Sequence, residues 1–210
     1  MEQFDSLLGV AEKLLSPEGC PWDQKQTFSS LQPYMLEEAH EVIEAVDADD
    51  NAKIIEELGD LLYTIIFYGK LAEKTGRFSI SDIVSAITEK LIRRHPHVFG
   101  EVKVEGADEV LKNWEKIKLQ EKVEAKPASV LDGIPPTLPS LIRAQKIIKR
   151  MQRAGSALVP KEKSGQVSEE ELGSQLLALI VKAENASIDA ESAFRRALAR
   201  MEETFRNTEK

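Results

Sequence analysis

A lone cysteine, Cys20, excludes an intrachain disulfide and suits a reducing cytoplasm. Its expected place is a small core or loop thiol. No apolar run reaches the length of a bilayer span; the longest, near Leu61–Phe67, is broken by Tyr63 and Thr64. The opening MEQFDSLLG has neither a basic region nor a continuous apolar stretch, so no export signal is visible. Cationic surface is scarce where it would matter. Residues 1–122 hold 24 acids and 14 bases, 123–210 hold 12 acids and 14 bases, and the net charge is −8. That balance argues against non-specific nucleic-acid binding. It suits a small phosphorylated ligand only where cations and a few placed bases offset the repulsion. Strand alternation is scarce as well, and apolar residues recur at three and four, so the chain reads as all-α.

What is present makes an ordinary globular protein: 210 residues, 42% apolar and 30% charged, enough to bury a real core. A first helix is predicted over Phe4–Leu15, stopped by Ser16-Pro17-Glu18-Gly19. A loop, Cys20–Thr27, leads to a helix over Leu31–Val46. The turn Asp47–Asn51 opens another over Ala52–Ala72, closed by Thr75-Gly76. Ser81 is the expected cap of a helix reaching Arg94, ended by His95-Pro96. A further helix is expected over Asp108–Glu121. The division is a helical domain over 1–122, a Pro-rich linker over 123–140, and a second helical segment over 141–210.

That second segment repeats the first. FDSLLGVAEKL (4–14) resembles LPSLIRAQKII (138–148), and EELGDLLYTIIF (56–67) resembles EELGSQLLALIV (170–181). The markers stand closer together in the second copy, where the polar loop SALVPKEKSGQVS replaces a whole helix. Asp60 has become Ser174. The second half therefore reads as a degenerate repeat.

The chemistry is carried by two carboxylate pairs of equal spacing, Glu38-x-x-Glu41 and Glu57-x-x-Asp60. Residues three apart share a helix face. On the Leu31–Val46 helix the apolar stripe runs through Met35, Ala39, Val42 and Val46, with Glu38 and Glu41 on its flank and Glu37 and Glu44 towards solvent. On the next helix Glu57 and Asp60 lie beside Leu61, while Glu56 points away. Two such helices packed antiparallel aim four carboxylates at one point. Clustered oxygens of this kind bind Mg²⁺, with substrate phosphates completing the shell. Exposed helices are rich in glutamate without any ion. Against that reading, Leu61–Ala72 is apolar nearly all round, which marks a central helix where unpaired carboxylates are costly.

Lys90 and Arg94 fall among the apolar residues Ile83, Ile87 and Leu91. Snorkelling to water is one account of them; contact with phosphate oxygens is the other. Lys53, one turn before Glu57, faces the same side, whereas Arg93 lies off the stripe. Trp22 and Trp114 read first as buried structural tryptophans and second as base-stacking groups. His95 and His97 flank Pro96 and read as helix-end residues. Glu37-x-x-His40 is formally half of a di-iron motif, but no second Glu-x-x-His exists.

Together, GCPWDQKQTF (19–28), LEEAHEV (36–42), EELGDLL (56–62), GRFSISDI (76–83), EKLIRRHPHVF (89–99) and DEVLKNWEKIK (108–118) resemble the MazG family of nucleoside triphosphate pyrophosphohydrolases. The likeness is close over 4–122. It implies an all-α, four-helix-type bundle that works as a homodimer, with metal and nucleotide near the subunit interface. It implies Mg²⁺-dependent hydrolysis, with Mn²⁺ as an alternative ion, of a nucleoside triphosphate to monophosphate and pyrophosphate. Glu38, Glu41, Glu57 and Asp60 would hold the metal and carry catalysis. Glu37 would stand near the nucleotide, Lys53, Lys90 and Arg94 would contact the triphosphate, and Trp114 matches a tryptophan near the nucleotide. Longer members keep both carboxylate motifs in their second copy; here they are gone or damaged, and the counterpart of Arg94 is Thr204. A helical interaction protein with a nucleotide-sensing first half is the alternative.

Overall fold

The computed structural model of the chain describes residues 2–124, 128–159 and 167–209, and every regular element among them is a helix. Residues 125–127 of the expected linker and 160–166 of the polar loop lie outside the described residues. The chain divides into two compact units, Met1–Glu115 and Lys116–Lys210.

The first unit holds α1 (Glu2–Leu15), α2 (Gln32–Asp47), α3 (Asn51–Lys74), α4 (Ile80–Arg94), the short α5 (Pro96–Phe99) and the start of α6 (Ala107–Glu124). Past the end of α1, the N–H of Cys20 reaches back to the Leu14 carbonyl at 2.8 Å. A Cβ on the intervening Gly19 would lie 2.2 Å from that same oxygen, so only glycine passes. Between α2 and α3 the turn is tight because Asp49 takes φ 53° and Asp50 caps α3. The Asp50 carboxylate accepts from the N–H groups of Ala52 and Lys53 at 3.0 and 3.2 Å. α3 ends in a Schellman motif: Gly76, at φ 65°, donates to the Glu73 carbonyl and Arg77 to that of Ala72.

The start of α4 departs from expectation. Ser79, not Ser81, is the cap, in a reciprocal box with Asp82. The core of this unit sits under the second half of α3. There Phe67 and Leu71 meet Leu15 and Leu31, with Phe28, Tyr63 and Tyr68 packed against them. Gly69 brings α3 so close to α4 that a Cβ would touch Ile80 at 3.0 Å.

α3 is not apolar-buried all round, as its composition suggested. Ile55, Leu58, Leu62 and Ile65 form one stripe and are all exposed, Ile55 at 75%. On α2 the buried residue is Ala45, whereas Val46 is exposed. No residue of α4 is buried. The first unit thus leaves apolar residues of α2, α3 and α4 exposed.

In the second unit, α7 (Ser140–Arg153), α8 (Glu169–Asn185) and α9 (Ala190–Thr208) follow one another. Ala144, Ile147 and Met151 of α7 pack with Leu198 and Phe205 of α9 around Leu131. Leu131 belongs to the stretch read as linker, and it is one of the most buried residues of the chain. Arg150 holds that stretch by donating to the carbonyls of Val130 and Asp132 at 3.0 and 2.7 Å. Arg206 bonds the Asp132 carboxylate at 2.8 Å, which holds that acid below the usual carboxylate range. α8 packs on α9 and has no buried residue.

Candidate metal and triphosphate site

The α2–α3 hairpin builds the site. One face of α2 carries Tyr34, Glu38, Glu41 and Ala45, spaced at four, seven and eleven residues. Ala45 is buried, so this is the face turned into the protein. Across from it, α3 presents Glu57. Carboxylate oxygens of Glu38, Glu41 and Glu57 all lie within 4.8 Å of one another, and all three residues are half-buried.

Such proximity has an electrostatic signature. Partial burial, then the charges of Asp60, Glu41 and Glu57, push the Glu38 carboxyl above the usual range. Glu57 is raised in the same way, by desolvation first and then by Glu41, Glu56 and Asp60, with Lys53 pulling it back. Three carboxylates that repel one another across a few ångströms form a hard-oxygen donor set. A divalent cation relieves that repulsion and coordinates such donors. Donors on one Mg²⁺ lie up to about 4.2 Å apart, given metal–oxygen distances of 2.0–2.1 Å. The side chains therefore need only a slight inward shift, and the residues fit the ion.

Asp60 borders the cluster but is not one of the mutually close carboxylates; it is exposed on α3. Its charge is nonetheless the strongest neighbouring influence on Glu38. Glu37 is exposed, as the helical wheel required. Lys53 is exposed one turn before Glu57 and acts on that carboxylate. Lys90 stands exposed on α4 and Arg94 half-buried at its end, on a helix that packs against α3. Trp114 lies on α6, half-buried, with its indole Nε1 shielded from solvent. His40 is exposed and not in the carboxylate cluster, which sets the di-iron reading aside.

The second unit lacks this arrangement among the described residues. Glu171, the counterpart of Glu57, is exposed and accepts from the Gln175 amide at 3.2 Å. Asp60 is matched by Ser174 and Lys53 by Val167.

Two aromatic residues were not placed correctly by sequence reasoning. Trp22, expected to be buried, is 50% exposed and meets Tyr34 edge-to-face, ring centroids 5.7 Å apart. Tyr34 was not singled out, although its four- and seven-residue spacing to Glu38 and Glu41 puts it on their face. A recess of about 450 Å³ at the end of α1, lined by Glu12, Lys13 and Glu18 among others, takes none of its lining from the carboxylates.

A family model described as the MazG nucleotide pyrophosphohydrolase domain matches residues 26–99, which include both carboxylate pairs. A nucleoside triphosphate pyrophosphohydrolase of Escherichia coli strain K12 is 40% identical, over 100% of this chain and 88% of its own length. A nucleoside triphosphate pyrophosphohydrolase/pyrophosphatase of Thermotoga maritima is 37% identical, over 98% and 85%. The crystal structure of a mazG-related protein from Thermotoga maritima matches at TM-score 0.49 and 30% identity, covering 55% of this chain and 98% of that one.

Proposed function

The chain belongs to the MazG nucleotide pyrophosphohydrolase family and is a hydrolase, and on that premise we propose what its first unit does and with which residues. It converts nucleoside triphosphates, with ribose or deoxyribose, to the monophosphate and pyrophosphate. Mg²⁺, or Mn²⁺ in its place, would be held by Glu38, Glu41, Glu57 and Asp60. The observation that carries this reading is the convergence of three carboxylates from two helices within 4.8 Å. The interaction-protein alternative is set aside, since the family is one of hydrolases and this unit keeps all four acids.

When bound, the ion neutralises charge on the phosphate oxygens and acidifies water. The protein's own groups do the rest. A cluster glutamate not fully engaged with the ion accepts, on its free oxygen, a proton from the attacking water, whose oxygen forms a bond to the α-phosphorus. The bond from that phosphorus to the bridging oxygen breaks, and pyrophosphate leaves with the electron pair. Lys90 and Arg94 offset the charge gathering on that leaving group, Arg94 in fork geometry, and Lys53 assists from α3. Glu37 stands on the solvent side of the cluster, near the nucleotide, and Trp114 flanks it.

The bare apolar stripe Ile55, Leu58, Leu62 and Ile65, with Val84, Ile87 and Leu91 of α4, fits a second copy of the chain. The working form is then a homodimer. The free Cys20 thiol fits a reducing cytoplasm, and no helix among the described residues is long and apolar enough to cross a membrane.

Anion-exchange separation of products from each NTP and dNTP with Mg²⁺, run in ¹⁸O-labelled water, tests the reaction. Monophosphate carrying the label, plus unlabelled pyrophosphate, is expected. Diphosphate plus phosphate would contradict attack at the α position.

A further inference from the structure

Trp22 and Tyr34 are large aromatic residues left in solvent, Tyr34 one turn before Glu38 on α2. Neither is there by looseness of the chain. Trp22 rides on a loop fixed at several points. The Cys20 N–H is bonded to Leu14, the Gln24 amide donates to the Ser16 carbonyl at 2.7 Å, and Asp23 is buried. The Gln26 amide donates to the carbonyl of Trp22 itself at 3.1 Å. Tyr34 is fixed by α2. It continues the face of Glu38 and Glu41 one turn towards the helix start, about 6 Å along the axis from Glu38. The two rings meet at 79°, so they form a corner in which one ring face stays open. An aromatic corner held rigidly in water gains nothing from burial within its own unit; it gains by receiving a flat apolar group.

We propose that this corner is the nucleobase platform of the triphosphate site, the base stacking on one ring while its edge meets the other. This rests on the hydrolase reading of the carboxylate cluster. Tyr34, Glu38 and Glu41 lie on one face of α2, in line, and Trp22 meets Tyr34 from the preceding loop, so a ligand with phosphates at Glu38, Glu41 and Glu57 points its base along that face to Tyr34. Stacking tolerates any base, because every base has a π-face, and favours the larger purines. The platform therefore predicts an enzyme of broad base range that prefers purine nucleotides.

Trp22→Leu and Tyr34→Leu, each checked for helix content and melting temperature, test this by calorimetric titration with Mg²⁺. The two ligands are α,β-methylene-ATP, whose α–β link resists cleavage, and inorganic tripolyphosphate, which has no base. The nucleotide is expected to bind roughly ten-fold more weakly to each variant, with tripolyphosphate binding unchanged. In turnover assays KM for ATP should rise by a similar factor at unchanged kcat. Equal weakening of both ligands, or weakening of neither, would overturn the platform. So would a wild-type protein that binds tripolyphosphate as tightly as the nucleotide, or variants that change oligomeric state by light scattering. If wild-type protein shows the binding difference yet releases no pyrophosphate from ATP, the hydrolase reading falls and the platform stands.

Discussion

Partial burial pushes the Glu38 carboxyl up first, and the charges of Asp60, Glu41, Glu57 and Glu37 all push it the same way. Glu57 shares that strain, so without a cation the cluster opposes folding. Glu57→Gln should raise the melting temperature of the metal-free protein. It should also shrink the rise that Mg²⁺ gives the wild type, since an ion that binds only the folded state stabilises by mass action. A lower metal-free melting temperature in the variant would contradict the repulsion.

Tyr63 presents the opposite defect, a hydroxyl shut away from water with no hydrogen bond in the protein among the described residues. Burial first, then the charges of Asp23 and Cys20, push it up to about 12. Tyr63→Phe removes that unmet group and should stabilise by about 1 kcal/mol in urea titrations; destabilisation would show a partner exists. At this scale the sequence was informative about acids. The helical wheel set Glu38 apart from Glu37 and Glu57 from Glu56, and in the structure Glu38 and Glu57 are half-buried while Glu37 and Glu56 are exposed. It was uninformative about Trp22, since a loop residue has no periodicity from which to read burial.

Among the elements, helix identities were legible in full for α1 to α4, with ends shifted by a residue or two. The cap of α4 was misplaced although its signal was present. Ser79-x-x-Asp82 is a capping-box spacing, whereas Ser81 has Val84 at that position. Ser79 holds the Asp82 carboxylate below its usual range through the side-chain hydrogen bond first and the backbone N–H second. A folded value below the unfolded one means a contribution fully present above about pH 4 and lost as pH falls through the folded value. Asp82→Asn should therefore melt lower than wild type at pH 7, with the gap closing below about pH 4. Ser79→Ala should cost about 1 kcal/mol at neutral pH. A gap that widens in acid would contradict this sign. The bare stripe on α3 was illegible for a different reason: hydrophobic periodicity reports that a face wants cover, not whether its own chain supplies it.

Taken whole, the molecule is two units, and one of them carries the carboxylate cluster found among the described residues. The likeness between the halves is read from the EELG segment that α8 shares with α3, and the departure from the carboxylate pattern from Ser174. What the repeat did not reveal is that the stretch before α7 is structural, with Leu131 at the centre of the second core. The dimer expected of the first unit is tested by Leu62→Glu, which places a charge within the bare stripe. Light scattering should show monomers where wild type gives dimers. A variant that stays dimeric would move the interface elsewhere.

The seat of the reaction is tested most directly by pyrophosphate release from ATP, measured against Mg²⁺ concentration for wild type and for Glu57→Gln. Groups that merely support metal ligands lose 10–100-fold when removed, so a ligand should lose at least about 100-fold. The expected result is release that requires Mg²⁺ and falls by that factor in a variant that remains folded. Release that is independent of Mg²⁺, or undiminished in Glu57→Gln, would contradict the carboxylate cluster as the seat of the reaction.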